Sequence, residues 1–184
     1  MSRRSRWVDV VAAGVALTGF APVLGLAAVW IRLDDGGPIL FVQERVGLGG
    51  QPLRVFKLRT MSDGTVTRPG RWLRPTGIDE VPQFINVLMG DMGVVGPRPW
   101  TLADAERYGA ETWRTTMRPG ITGPAQLLSR TIAEGLTLDR ELVDGGRSVR
   151  SDVRWIGLSF GVNVVGKARV RRWLGIGARM ADGP

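Results

Sequence analysis

From Val10 to Ile31 the chain carries no charged side chain. A helix crosses a bilayer core with about 20 residues, and this run is long enough. Arg3, Arg4 and Arg6 stand before it; Arg32 and the turn Asp34-Asp35-Gly36-Gly37-Pro38 follow. Three topologies compete. A signal peptide fits badly, because the run is long and lacks a clean small-residue cleavage site. A simple spanning helix is the default, and the arginines held inside would then send everything after Arg32 outside. A helix broken at Pro22 would enter and leave on one side, since Pro removes a hydrogen bond and bends the chain. Gly19 and Gly25 would ease that turn. On the residues alone the spanning helix is favoured.

Further along, Ile39-Leu40-Phe41-Val42 reads as a short strand or buried edge, and Leu53 to Met61 begins with strand-like alternation. Ser62 to Gly70 is polar and reads as a loop. Val81, Phe84, Ile85 and Leu88 form an apolar stripe at helical spacing, with Asp79 as N-cap and Pro82 in the first turn. Thr101 to Thr116 reads as an amphipathic surface helix. Val153 to Met180 is apolar but studded with Lys167, Arg169, Arg171, Arg172 and Arg179, with Trp155 and Trp173 suited to a headgroup boundary. Basic amphipathic helices of this kind lie flat on anionic membranes. The pattern as a whole predicts an α+β chain, mostly helical.

Charge and composition narrow the chemistry. The 184 residues suffice for one domain with a real core. A net charge of +8 and a pI near 11.3 favour anionic partners. Nucleic acid is one such partner, but no nucleic-acid fold or stacking platform is legible, so none is expected. The sequence has no cysteine and no histidine. That removes thiol chemistry and histidine-based catalysis, leaving Asp, Glu, Lys or Tyr to move protons.

The candidate chemistry lies between Arg71 and Trp100. Asp79 and Glu80 stand side by side, Asp91 follows Gly90, and Arg71, Arg74 and Arg98 flank them. Hard divalent cations take oxygen ligands and usually bind substrate phosphates too. Arginine reads phosphate through a planar fork of donors. Pro97 and Pro99 make the frame around Arg98 stiff and extended. By itself an Asp-Glu pair is most often a solvated turn, and the neighbouring residues are what argue otherwise.

Those neighbours carry a resemblance. Leu73-Arg74-Pro75-Thr76-Gly77-Ile78-Asp79-Glu80-Val81-Pro82-Gln83, Asn86 to Met92 and Val95-Gly96-Pro97-Arg98-Pro99 resemble the bacterial sugar transferase family, the monotopic phosphoglycosyl transferases. Gly77 and Gly93 replace its usual Ser, and Val81 its Leu. Upstream, Gly36-Gly37-Pro38, Gln43-Glu44-Arg45-Val46-Gly47 and Lys57-Leu58-Arg59-Thr60-Met61 match a second signature, with Leu58 in place of Phe. Downstream, Arg118-Pro119-Gly120-Ile121-Thr122-Gly123-Pro124-Ala125-Gln126 matches a third, with Pro124 where Trp is common. Leu138-Asp139 to Asp152 resembles the closing segment, with Leu142 for Tyr. The resemblance runs from about Arg6 to Phe160.

What the resemblance implies is specific. The N-terminal helix, residues 1–32, is re-entrant at Ala21-Pro22, reversing the reading from the residues alone. Residues 33–160 form a small catalytic domain on the cytoplasmic face of the bacterial inner membrane, and 161–184 a basic amphipathic segment. The reaction moves a sugar 1-phosphate from a UDP-sugar to polyprenyl phosphate and releases UMP. Asp79 is the nucleophile and Glu80 holds Mg²⁺, with Asp91 a weaker metal candidate. Lys57, Arg59, Arg74, Arg98 and Arg118 are candidates for substrate phosphate. Membrane lipid is a partner, and a homodimer is compatible with the sequence. A UDP-releasing glycosyltransferase and a non-enzymatic membrane scaffold are the rival readings.

Overall fold

The computed structural model describes residues 3–108, 112–165, 169, 170 and 172. It is a mostly helical α+β chain led by one long apolar helix. That helix, α1 (Arg3–Asp35), runs 33 residues and continues through Pro22. The missing N–H of Pro22 leaves the Thr18 carbonyl without its helical donor. Trp7, Val11, Val15, Leu26, Val29 and Leu33 point outward, with Leu33 79% exposed. Only 11% of the most apolar window is buried. An apolar helix this bare is built for a lipid solvent rather than for water.

Polar groups of the folded domain grip both ends of α1. Near its start Asp9 is fully buried, and its carboxylate accepts from the Val94 N–H at 2.9 Å and from Arg147 at 2.7 and 3.0 Å. Arg147 also donates to Asp152, itself fully buried, at 2.7 Å. Near its end Ala27 and Ile31 pack with Leu58 and Leu73, and Asp35 pairs with Arg59.

The domain opens with a hairpin of β1 (Leu40–Val46) and β2 (Pro52–Leu58), antiparallel, Leu40 opposite Leu58. Leu40, Phe41 and Val42 are exposed, so this strand is real but is not the buried edge its composition predicts. A second, tight hairpin joins β3 (Met61–Ser62) to β4 (Thr65–Val66) through Asp63-Gly64, both at positive φ. It leads into α2 (Arg68–Thr76), capped by the Thr67 hydroxyl accepting from Gly70 N–H. The segment expected to be a loop is thus a hairpin and the first turn of a helix; its polar composition masked both.

Helix α3 (Gln83–Met89) is seated by one side chain. Asn86, fully buried, accepts from the Phe56 N–H at 3.1 Å and donates to the Arg54 carbonyl at 2.6 Å. The amide therefore completes β2 as a neighbouring strand would, which keeps the buried backbone groups paired. The buried face of α3 is Gln83, Asn86 and Val87, while Ile85 and Leu88 of the predicted stripe are exposed.

Strands β5 (Gly93–Val95) and β6 (Gly120–Thr122) pair in parallel, Gly93 with Gly120 and Val95 with Thr122. Where they cross, a Cβ on Gly120 would strike the Gly96 nitrogen, and one on Gly96 the Arg118 carbonyl. The glycines of this loop admit the close approach of another backbone. Ala13, Leu53, Val55, Val87, Met92, Val94, Val95 and Leu142 form the main core. Around it lie α4 (Leu102–Tyr108), α5 (Pro124–Leu128), α6 (Ile132–Gly145) and α7 (Val149–Val165). The expected helix from Thr101 to Thr116 is α4 followed by a 3-10 turn at Thr112–Thr116. Lys167, Arg171, Trp173, Arg179 and most of the expected 161–184 segment lie outside the described residues.

Removing Arg147 would leave two buried carboxylates facing each other. Arg147→Ala is expected to cost about 3–5 kcal/mol in thermal unfolding in detergent, the range for breaking a buried ion pair. Arg140→Ala removes an exposed pair with Asp144 and a cation–π contact with Trp113, and should cost under about 1.5 kcal/mol. Equal losses in the two variants would show that the buried network carries no special weight.

Candidate active site

Asp79 and Glu80 sit in a 3-10 turn, Ile78–Glu80, between α2 and α3. Gly77, at φ 70°, ends α2 in the left-handed conformation and starts the turn. The predicted N-cap role of Asp79 does not occur, because Pro82 holds that position. Within the turn, Glu80 N–H bonds Gly77 O and Val81 N–H bonds Ile78 O. The two acidic side chains are thus presented by a rigid turn.

Lys57, from β2, lies 2.7 Å from Glu80 Oε1. Glu80 is 42% exposed at its side chain, so its second oxygen remains open to a ligand. Burial first, and the Glu80 carboxylate second, push the Asp79 carboxyl up from 3.8 to about 6, against the pull of Lys57 and Arg74. Two carboxylates in one turn leave an excess of negative charge that a cation relieves. The described residues hold no cage of three acidic ligands. Mg²⁺ does not need one, since one or two carboxylates plus substrate phosphates usually suffice. The donor set therefore fits a divalent metal shared with a phosphorylated substrate.

Arg98, which is exposed, lines the same cleft as Glu80. Its backbone is tied at both polar groups: its N–H donates to Asp139 Oδ2 at 3.1 Å, and its carbonyl accepts from Arg114 at 2.9 Å. Arg114 and Asp139 form a buried pair at 2.7 Å. The Pro97-Arg98-Pro99 frame is further pinned by Arg45, donating to the Pro99 carbonyl at 3.0 Å, and by Val46 N–H on Trp100 O. Arg45, Lys57, Glu80, Gln83 and Arg98 converge on one small cleft. Burial, and next the charge of Arg98, hold the Arg45 guanidinium below its usual value. Two guanidiniums that repel each other across a cleft make a site for an anion.

A larger cavity of about 330 Å³ begins at Glu80 and Arg98 and runs along apolar walls. Val81, Phe84, Ile121, Ile156 and Val162 line it, and it reaches Ala16 and Phe20 in the middle of α1. One end is thus charged and the other lies on the apolar helix.

The family model for bacterial sugar transferases matches residues 2–164. The chain belongs to the bacterial sugar transferase family. The UDP-glucose:undecaprenyl-phosphate glucose-1-phosphate transferase of Caulobacter vibrioides is 47% identical over 142 residues, covering 67% of this chain and 53% of that protein. The UDP-N-acetylgalactosamine-undecaprenyl-phosphate N-acetylgalactosaminephosphotransferase of Aeromonas hydrophila is 38% identical over 141 residues, 67% of this chain and 33% of its own length. The glucose-1-phosphate transferase of Escherichia coli is 40% identical over 137 residues, 65% and 30%. The chain spans from about half to less than a third of the length of these relatives. Their names share the undecaprenyl-phosphate acceptor and differ in the sugar.

Of the family-derived candidates, Glu80, Lys57 and Arg98 line one cleft, and Asp79 lies beside it in the same turn as Glu80, with Lys57 and Arg74 close enough to act on it through their charge. Arg59 does not join them: it is engaged with Asp35 and the Pro38 carbonyl at the end of α1. Asp91 and Arg118 line a separate cavity with Arg54 and Met89. Arg45 and Gln83 belong to the site although neither drew notice as a candidate. Both lie in family signatures, and that was the available signal.

The raised pKa of Asp79 has a consequence for stability. The folded chain binds more protons than the unfolded chain between pH 3.8 and about 6, so stability from this group falls as pH rises through that window. Above it the ionised carboxylate costs about 1 kcal/mol, after allowing for solvent screening of a part-exposed group. With divalent metal removed by EDTA, Asp79→Asn is expected to melt a few degrees above wild type at about pH 7.5, with the gap closing below about pH 4. An Asn variant no more stable at the higher pH would show that the fold does not oppose this charge.

Proposed function

We propose that this chain transfers a sugar 1-phosphate from a UDP-sugar to polyprenyl phosphate and releases UMP, as the first membrane step in building an exopolysaccharide, capsule or glycoprotein glycan. The observation that carries this reading is one cleft lined by Glu80, Lys57 and two arginines, beside Asp79 in the same turn and next to an apolar cavity that shares Glu80 and Arg98 and ends on α1. A water-soluble phosphate donor and a lipid phosphate both need that meeting of charge and hydrocarbon.

In the first step an Asp79 carboxylate oxygen attacks the β-phosphorus. The bond from that phosphorus to the bridging oxygen breaks, and its electron pair leaves on UMP. The sugar phosphate then rests on Asp79 as an acyl phosphate. In the second step a phosphate oxygen of the lipid attacks the same phosphorus, and Asp79 departs as a carboxylate. Covalent catalysis divides one hard displacement between two easier ones. Arg98 and Arg45 stabilise the charge on the transferring group, and Lys57 orients Glu80. Glu80 would hold Mg²⁺, which neutralises diphosphate charge when bound.

The membrane arrangement follows from the acceptor. Both ends of α1 are tied to one polar domain, through Asp9 and through Asp35, and this supports a re-entrant helix over a spanning one. UDP-sugars are made in the cytoplasm, which puts the domain on the cytoplasmic face of the inner membrane. The cavity reaching α1 would let the lipid phosphate meet Asp79 while its tail stays in hydrocarbon.

The test uses the full chain in detergent with undecaprenyl phosphate and a panel of UDP-sugars. UMP is the expected nucleotide product; UDP would point to direct glycosyl transfer instead. Asp79→Asn should lower turnover by about 10³-fold or more, as for loss of other nucleophiles. Donor alone should leave a phosphosugar adduct on Asp79 by mass spectrometry. Product formation without that adduct, or full activity in the Asn variant, rules out the covalent route. Glu80→Ala should weaken the Mg²⁺ dependence, and Arg98→Lys should cost about 10-fold or more, because a point charge does not replace a planar fork.

A further inference from the structure

A second cavity, also of about 330 Å³, lies on the other side of Arg98. Its lining is about half polar, where that of the first is mostly apolar. Trp100, Tyr108 and Asp104 line one side, and Ser129, Arg130 and Leu136 the other. Among the described residues none of α1 lines it, and neither Glu80 nor Lys57 does. Arg98 alone, of the acid-and-cation cleft, borders both cavities.

Geometry gives that arrangement meaning. In-line attack by Asp79 expels UMP on the face of phosphorus opposite the carboxylate. The lipid phosphate must then attack that same face to expel Asp79. The leaving and the entering phosphate therefore share one position, and only what trails behind them differs. Two unlike cavities meeting at one arginine supply this: a shared phosphate contact with a separate path for each tail. The sugar is attached to the reacting phosphorus itself, so it stays near Asp79. The hydrocarbon follows the apolar cavity. What remains is the nucleoside.

We propose that the polar cavity holds the nucleoside half of the donor, with the Asp104 carboxylate accepting from the ribose hydroxyls. This rests on the reading of the donor as a UDP-sugar. The size suits it, at the low end for small-molecule sites. Asp104 is half-buried and accepts from Thr101 N–H at 3.2 Å through Oδ2, with the Thr101 hydroxyl also acting on the carboxylate; two carboxylate oxygens offer about four acceptor positions, which leaves capacity for a further donor. Carboxylates are the usual partners of ribose hydroxyls. Trp100 and Tyr108 stand with ring centres 5.9 Å apart, and the Arg114 guanidinium lies 4.5 Å from the Trp100 ring. They form a fixed aromatic wall for a base. At the cavity floor Asp139 Oδ1 is buried and has no hydrogen bond of normal geometry, although the Ala125 amide acts on that carboxylate. The floor is thus polar and rigid, and its other oxygen holds Arg98 in place.

The experiment measures binding of UMP and of 2′,3′-dideoxy-UMP to the full chain in detergent, together with UMP inhibition of turnover. Wild type should prefer UMP by about 10-fold, the loss expected for a hydrogen bond to a charged group. Asp104→Asn should bind UMP about 10-fold more weakly and discriminate less than 2-fold. Leu136→Trp, which fills the cavity from α6, should abolish UMP inhibition at concentrations that saturate wild type. Retained discrimination in Asp104→Asn, or unchanged inhibition in a folded Leu136→Trp, overturns this placement while UMP release by wild type leaves the reaction intact. A wild type that neither releases nor binds UMP overturns the underlying reading as well. Should one variant fail to fold, the other still decides.

Discussion

One guanidinium fixes where the apolar helix sits on the domain. Arg147 bridges Asp9, at the start of the apolar helix, and Asp152, in α7, and all three are withdrawn from water. A buried ion pair adds little net stability, because desolvation offsets most of the attraction. What it does supply is a position. Two carboxylates and one arginine satisfy each other in a single arrangement, and any slip of α1 would strand a charge. Asp9 also accepts from Val94, so β5 is registered by the same network. From β5 the chain leads directly to Gly96 and the Pro-Arg-Pro frame. Ala13, one helical turn past Asp9, packs with Val87 and so places α3, which follows the Asp79-Glu80 turn. The acids and the arginine that faces them are thus both set by contacts that begin at the lipid-facing helix.

The site itself is held against electrostatic preference. Asp79 is harder to ionise than an ordinary aspartate because it is buried beside Glu80. Arg45 is weakened because it is buried and faces Arg98. Each pair of like charges is unfavourable alone, and each is relieved by what the proposed substrates bring, a cation for the acids and phosphate oxygens for the guanidiniums. Rigid elements make such tension possible. The 3-10 turn, the β2 edge sealed by Asn86 and the Gly96–Gly120 crossing leave the charges no room to move apart.

Much of this was legible in the sequence because it is local. The apolar run gives a membrane helix, and Asp79, Glu80 and Arg98 fall in one dense stretch beside two prolines. What escaped was whatever depends on distant partners. Asp9 lies outside the uncharged run and says nothing of Arg147, far along the chain. Asn86 reads as one more polar residue of a helix until β2 is placed beside it. Arg59 carries the same charge as Lys57 two positions earlier, yet it serves the end of α1 while Lys57 serves Glu80. Asp91 is near the acids in sequence, but the turn at Gly90 sends it toward another cavity. Spacing gives periodicity and turns; it does not give the side of the domain on which a charge emerges.

The long helix has more than an anchoring task. Ala16 and Phe20 form part of the wall of the apolar cavity that opens at Glu80 and Arg98. The segment proposed to set the depth of the domain in lipid is therefore also a wall of the proposed path for the lipid acceptor. On that proposal depth and access become one variable: a shift of α1 against the domain would at the same time reshape the cavity. This coupling explains why so much buried polarity is spent at the ends of a helix whose middle is nearly bare. The ends must not slide, because the middle is part of the site.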